Sequence, residues 1–128
     1  MTETLDSRIS MAIDLKKNRL RIHRSTLRLM GFPPFIKLLF SPEHNAIAVI
    51  CCRETELPKI NEVRVTYDPG DNTHTFDIYS KDLVSVIRLA FKGLDQTGLY
   101  RLKGYAVPEE HGVYFPLSTM TRAEEAHV

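Results

Sequence analysis

The chain has 128 residues, 43% apolar and 26% charged, with a formal net charge of +1, the profile of an ordinary globular protein long enough to bury a core. No apolar run approaches the roughly 20 residues that cross a bilayer, and the acidic, polar start Met1-Thr2-Glu3-Thr4-Leu5-Asp6 argues against the basic and apolar leader of a signal peptide. Cys51 and Cys52 are adjacent, so on a strand they point to opposite faces. That argues against a disulfide between them or a shared metal, and a reduced, cytoplasmic setting is the expectation.

Arg8 to Asp14 alternates with period two, placing Ile9, Met11 and Ile13 on one face of a half-buried strand. Lys16-Lys17-Asn18 is a polar turn. Arg19-Leu20-Arg21-Ile22-His23 alternates again, with Leu20 and Ile22 inward and Arg19, Arg21 and His23 outward. Ser25 or Thr26 can cap a short helix carrying Leu27 and Met30, with Gly31 as its C′ glycine, and Pro33-Pro34 forbids its continuation. Phe35 to Phe40 is a near-continuous apolar strand. Ser41-Pro42-Glu43-His44-Asn45 turns it back onto its partner, Ala46 to Cys52.

A polar linker over 53–60 follows, and then the order restarts. Val63, Val65 and Tyr67 alternate; Asp68-Pro69-Gly70-Asp71-Asn72 is a strong turn signal; Phe76 and Ile78 mark the next strand. Ser80 caps a longer helix in which Leu83, Val86, Ile87, Ala90, Phe91 and Leu94 form one stripe. Leu99 to Tyr105 and Val113 to Leu117 read as the last hairpin, and 118–128 reads as a frayed tail without apolar period.

The two halves are copies in outline. Leu20-Arg21-Ile22-His23-Arg24-Ser25-Thr26-Leu27 aligns with Phe76-Asp77-Ile78-Tyr79-Ser80-Lys81-Asp82-Leu83, and Phe40 to Val49 aligns with Ala106 to Phe115. The expected fold is therefore α+β, mainly β: one domain over 1–128, built as a tandem ββαββ repeat (about 8–52 and 61–117). Its halves pack around a pseudo-twofold core and close a small swapped-hairpin-like barrel. The second copy is longer by about ten residues, a difference assigned to its helix.

Charge divides the copies. Residues 1–40 carry eight Lys or Arg against three acids, and Lys16 to Arg28 holds six Lys or Arg and no acid. Such asymmetry describes either an electrostatic face or the solvated edge of a strand and helix.

The first copy resembles the AbrB-like (SpoVT/AbrB, MraZ) swapped-hairpin family of bacterial transcription regulators. Asp14-Leu15-Lys16-Lys17-Asn18-Arg19 stands at that family's acidic turn, Arg19 to His23 at its second strand, and Leu27-Arg28-Leu29-Met30-Gly31 at its helix end. Asn18 replaces the family's glycine, His23 stands at its proline, and the second copy keeps the element order but little of the motif. The resemblance implies a bacterial, cofactor-free DNA-binding protein, acting as a transcription regulator or mobile-element accessory factor. It implies contact through Lys16, Lys17, Arg19, Arg21, Arg24 and Arg28, since phosphates need a row of cations on a rigid edge. One basic half per chain would then call for a homo-oligomer to present two faces to DNA.

Other constellations are weaker. His23, His44, His74, His111 and His127 lack metal-ligand spacing. Glu43, His44, Glu109, Glu110 and His111 sit in the two Pro-Glu turns and could converge to bind a metal or do acid–base work, or be solvated turn residues. Tyr100, Tyr105, Tyr114 and Phe115 could stack bases or pack the sheet. No catalytic motif, phosphate loop or membrane segment is legible, so neither an enzyme nor a cofactor is expected. The competing class is a protein–protein interaction or scaffold module of the same fold.

Overall fold

The computed structural model describes residues 6–59, 62–68, 70, 73–95 and 97–123. Its elements follow the order ββαββ twice. The first copy is β1 (Asp6–Asp14), β2 (Arg19–His23), α1 (Arg24–Leu29), β3 (Phe35–Ser41) and β4 (Ala46–Cys51). The second is β5 (Val63–Thr66), β6 (Thr75–Tyr79), α2 (Lys81–Ala90), β7 (Leu99–Val107) and β8 (Gly112–Pro116). Eight strands run β5-β3-β4-β8-β7-β1-β2-β6 in a nearly closed antiparallel barrel. The turn expected at Asp68 to Asn72 falls between β5 and β6, with Pro69, Asp71 and Asn72 outside the described residues.

The ladder registers express the duplication. In β2–β6, Arg21 pairs with Asp77, its own counterpart in the repeat alignment, and Leu20↔Ile78 and Ile22↔Phe76 exchange under it. In β4–β8, Ala48 pairs with its counterpart Tyr114 in the same manner, flanked by Ile47↔Phe115 and Val49↔Val113. A pseudo-twofold axis therefore passes through these two pairs. The first strand of each copy is exchanged: β1 pairs with β7 of the other copy, and β5 with β3. Neither half could bury its sheet alone.

One seam departs from the symmetry. β1 and β2 form a hairpin in which Ile13 faces Leu20, whereas no pairing joins β5 to β6 among the described residues. Met11 opposite Leu102 corresponds to Val65 opposite Ile36, which makes Tyr67 and Phe76 the counterparts of Ile13 and Leu20. Their rings meet edge-on with centroids 5.3 Å apart. Side chains thus close the seam where the backbone does not.

Inward positions of both copies share one core, including Ile9, Met11, Ile13, Leu20, Ile22, Ile36, Leu38, Ile47, Val49, Leu102, Val113 and Phe115. Because β2 and β6 run antiparallel, the helices that follow them close opposite ends of the barrel. Leu27 buries beneath α1, and Leu83, Val84 and Ile87 beneath α2. Ser80 caps α2 as expected, its Oγ accepting from the Leu83 N–H at 3.1 Å.

The start of α1 differs from expectation. β2 runs directly into it, so the N-cap is His23 with no side-chain bond, and Thr26 is fully buried, facing the core. Its end is as expected. Gly31 (φ 79°) is the C′ residue; its N–H donates to Arg28 O and the Phe32 N–H to Leu27 O at 3.0 and 2.9 Å, the paired bonds of a Schellman motif. The extra length of the second copy is divided between a ten-residue helix, against six in α1, and the loop that follows Ala90. Phe91 and Leu94 pack on the core from that loop, outside the helix.

The segment expected to fray does not do so at its start. Leu117–Thr119 is a 3₁₀ turn with Leu117 buried, and Thr121–Arg122 forms a ninth strand, β9, beside β7; residues 124–128 lie outside the described residues. The linker is also tied down. Lys37 Nζ reaches Glu56 at 2.6 Å and Glu62 at 3.5 Å, and Arg64 donates to the Glu56 carbonyl at 3.2 Å. Among the described residues no helix is long and apolar enough to cross a membrane.

Candidate nucleic-acid interface

The turn that carries the first two candidate cations is built by Asp14. Its Oδ1 accepts from the Lys16 and Lys17 N–H groups at 3.1 and 3.2 Å, and Asn18 completes the turn in the left-handed region at φ 52°. α2 holds this turn from behind: the Ser80 N–H donates to Asn18 O at 2.9 Å and Arg88 Nη2 to Leu15 O at 2.5 Å. Lys16 and Lys17 themselves are exposed and make no ion pair among the described residues.

Along β2, Leu20 and Ile22 are fully buried, so Arg19, Arg21 and His23 share the outer face. Two of these three are already partnered. Arg19 Nη2 lies 3.4 Å from Asp14 Oδ2. Arg21 grips Asp77 with two bonds, Nε to Oδ1 at 2.7 Å and Nη2 to Oδ2 at 3.1 Å. That bond holds the Asp77 carboxyl below the usual carboxylate range. Arg24 and Arg28 belong to the helix beyond the strand. The Arg24 guanidinium lies over the Phe32 ring, 4.8 Å from its centroid, and the Arg24 backbone N–H donates to His74 O at 2.7 Å. Arg28 is exposed in the last turn of α1, where a cation also suits the helix dipole. The six candidates thus lie in three settings, an exposed turn, a paired strand face and a helix.

The sheet adds cations that local sequence did not single out. Ala12 of β1 pairs with Arg21 on one side and Arg101 of β7 on the other, and Ser10 pairs with Lys103. Directly paired residues share a face, so Arg101 and Lys103 stand across small Ser10 and Ala12 from Arg21 and His23. Both are exposed and make no ion pair among the described residues. The field of this cluster is visible at His23, whose pKa is lowered first by burial and then by the Arg101 and Arg21 charges. The neutral imidazole is favoured in the folded state, so the unfolded chain takes up the proton first as pH falls below about 6.5. His23→Gln should therefore lose less stability than the parent chain between pH 7 and pH 5, read from urea midpoints; equal losses would refute the assignment.

The remaining constellations do not assemble a reactive site. The β4–β8 register places the two Pro-Glu turns at opposite ends of that strand pair. Tyr114 reaches both, its ring 4.8 Å from His44 and its hydroxyl donating to Glu110 at 3.1 Å. Among the described residues no three His, Cys, Asp or Glu side chains converge as a metal would require. Tyr100, Tyr105, Tyr114 and Phe115 are buried and offer no stacking platform. Cys51 and Cys52 are both half-buried. Burial, and then the Glu56 charge, push the Cys52 thiol up, which keeps it protonated and a poor nucleophile at neutral pH. A cavity of about 240 Å³ lies between Leu29, Met30, Cys51, Pro108 and His111.

No protein-family model, no curated protein and no solved structure matches this chain.

Proposed function

We propose that this protein binds duplex DNA without a cofactor, through the face running from Lys16 to Arg28, as a bacterial transcription regulator or mobile-element accessory factor of the AbrB-like swapped-hairpin kind. The observation that carries the reading is the placement of cations along β2. Lys16 and Lys17 are exposed at one end, Arg28 is exposed beyond the other, and Arg19 and Arg21 project outward between them. A rigid strand with cations at both ends meets the requirement of a phosphate backbone, whose binding rests on charge neutralisation and counterion release. The homo-oligomer is part of the proposal, because a second copy would double this one-sided face.

Fluorescence anisotropy with a random-sequence duplex at two salt concentrations tests it. Affinity should fall steeply with salt, and Lys16→Gln/Lys17→Gln/Arg28→Gln should lower the log–log salt slope by about 3, near 0.9 for each lost phosphate contact. Absence of binding at low salt would sink the reading.

A second reading has its own support. Arg19 and Arg21 are each neutralised by an aspartate, and Leu29, Leu57, Tyr79 and Leu89 are large apolar side chains left exposed. That combination suits a protein-interaction module of the same fold. Sedimentation of the chain with and without duplex separates the two: self-association alone, with no DNA-dependent species, favours the module.

A further inference from the structure

The outer face of β2-β1-β7 gathers charge from both copies of the repeat. β1 contributes Ser10 and Ala12, the smallest outward side chains of the three strands, with Arg21 and His23 on one side and Arg101 and Lys103 on the other. Adjacent strands lie about 4.8 Å apart, so the two cationic rows stand roughly 10 Å apart across β1, and Arg101 and Lys103 about 7 Å apart along β7. Long side chains at such spacings converge over a shallow, unobstructed floor. Arg101 is close enough for its charge, after burial, to lower the His23 pKa although the two belong to different copies. Among the described side chains, the carboxylates on and beside this face are engaged, Asp14 by Arg19 and Asp77 on β6 by Arg21. Arg101 and Lys103 are left with no carboxylate of their own among the described residues.

We infer that Arg101 and Lys103, facing Arg21 and His23 across Ser10 and Ala12, form a phosphodiester-binding site for the backbone of duplex DNA. This rests on the DNA reading above and moves the centre of contact from the first copy alone to a surface made by both. Duplex rather than single-stranded nucleic acid follows from the outward side chains of these strands. Ser10, Ala12, Asp14, Arg19, Arg21, His23, Leu99, Arg101 and Lys103 include no flat aromatic ring larger than imidazole, and Tyr105, next on the outer face of β7, is buried against Tyr114, whereas single strands need open aromatic platforms on which bases stack. The site is sequence-independent, because its cations meet phosphates and nothing on the face reaches into a groove. Arg21 is a positioning residue here: locked to Asp77, it supplies field and a wall, while Arg101 and Lys103 make the contacts. His23 adds charge when protonated. The groups facing it are Arg21 on its own strand, Ser10 on β1, Arg101 and Lys103 on β7, Thr75 on β6 and Arg24 at the start of α1.

The test compares Arg101→Gln/Lys103→Gln with a charge-matched control, Lys59→Gln/Lys92→Gln, in the full chain. Both pairs are exposed, and urea midpoints verify that each variant folds. With a random-sequence duplex, the first variant should lose about 2 from the log–log salt slope and the control should keep the parent slope. The parent complex should tighten from pH 7.5 to 5.5, and poly-L-glutamate should compete far less well than the duplex at equal charge. Parent binding that survives unchanged in Arg101→Gln/Lys103→Gln, or that weakens equally in the control, overturns this site but leaves the DNA reading standing. Equal competition by poly-L-glutamate overturns it in favour of an acidic protein partner. A parent chain that binds no duplex at low salt overturns both.

Discussion

Phe115→Ala is expected to destabilise the fold by about 3–5 kcal/mol, the range for removing a buried aromatic side chain. Phe115 has no solvent exposure and enters the barrel core from β8, paired with Ile47 beside the pseudo-twofold axis. Its ring occupies space that Gly104 leaves open. A Cβ at position 104 would lie 2.8 Å from the ring and 2.9 Å from the Tyr114 carbonyl oxygen, too close for either neighbour to absorb. The first copy fills the same layer differently. The counterparts of Gly104 and Phe115 are Leu38 and Val49, paired across β3–β4 and fully buried. One copy thus packs medium against medium and the other nothing against large, at similar total volume. It follows that Gly104→Leu alone should cost about 3 kcal/mol, the upper end for overpacking, and Phe115→Val alone about 1–3 kcal/mol. The double variant should be markedly more stable than Gly104→Leu, because volume is conserved within the layer. Urea unfolding of the four proteins reads the coupling; strict additivity would show that the two copies do not share this packing rule.

The second large effect is expected at alkaline pH. Burial first, then the hydrogen bond to Glu110 and the negative charge there, raise the Tyr114 phenol from 10.0 to about 12. The ring is nearly enclosed in a satellite cluster with Ala46, Ala48, Tyr105 and Val107 on the outer face, where an anion would be poorly solvated. The folded state therefore keeps its proton longer than the unfolded chain. The contribution to stability is complete below pH 10 and is lost as pH rises through about 12. By then the loss amounts to roughly 2–3 kcal/mol, at 1.36 kcal/mol for each pH unit. Unfolding free energies of the parent chain and Tyr114→Phe, compared at pH 9 and pH 12, isolate the effect, since the other titrating groups are common to both. The parent should lose that amount more than the variant; parallel curves would remove Tyr114 as the cause.

The two effects belong to the two sides of one strand pair, where the duplication is most visible. Ala48 and Tyr114 are counterparts that meet on the axis, and so are Arg21 and Asp77 on the opposite wall. A repeat that folds on itself must pair equivalent positions with each other at its axis. Divergence at those positions is therefore felt directly: small beside large in one case, cation beside anion in the other. The Arg21–Asp77 pair contributes little energy in its half-exposed setting, but it removes Arg21 from the pool of uncompensated charge.

Periodicity, turn chemistry and the internal repeat determined the order of elements, the ββαββ unit, the inward faces of the strands and the Gly31 and Ser80 helix boundaries. Each of these rests on residues close in sequence, whose spacing reports one face of a strand or one turn of a helix. The cap of α1 was not legible because β2 enters the helix without a loop, so the residues that resemble caps, Ser25 and Thr26, lie inside the first turn. Half of the candidate surface was legible on the same terms: Lys16, Lys17, Arg19, Arg21, Arg24 and Arg28 stand in one run. The other half was not. Nothing local tells that β7 lies beside β1, and only that pairing places Arg101 and Lys103 opposite Arg21 and His23. The tertiary structure likewise decided which cations are held by acids, since Asp77 reaches Arg21 only through the β2–β6 ladder. Sheets join strands from opposite ends of a chain, and surface charge is a property of the sheet rather than of any one strand.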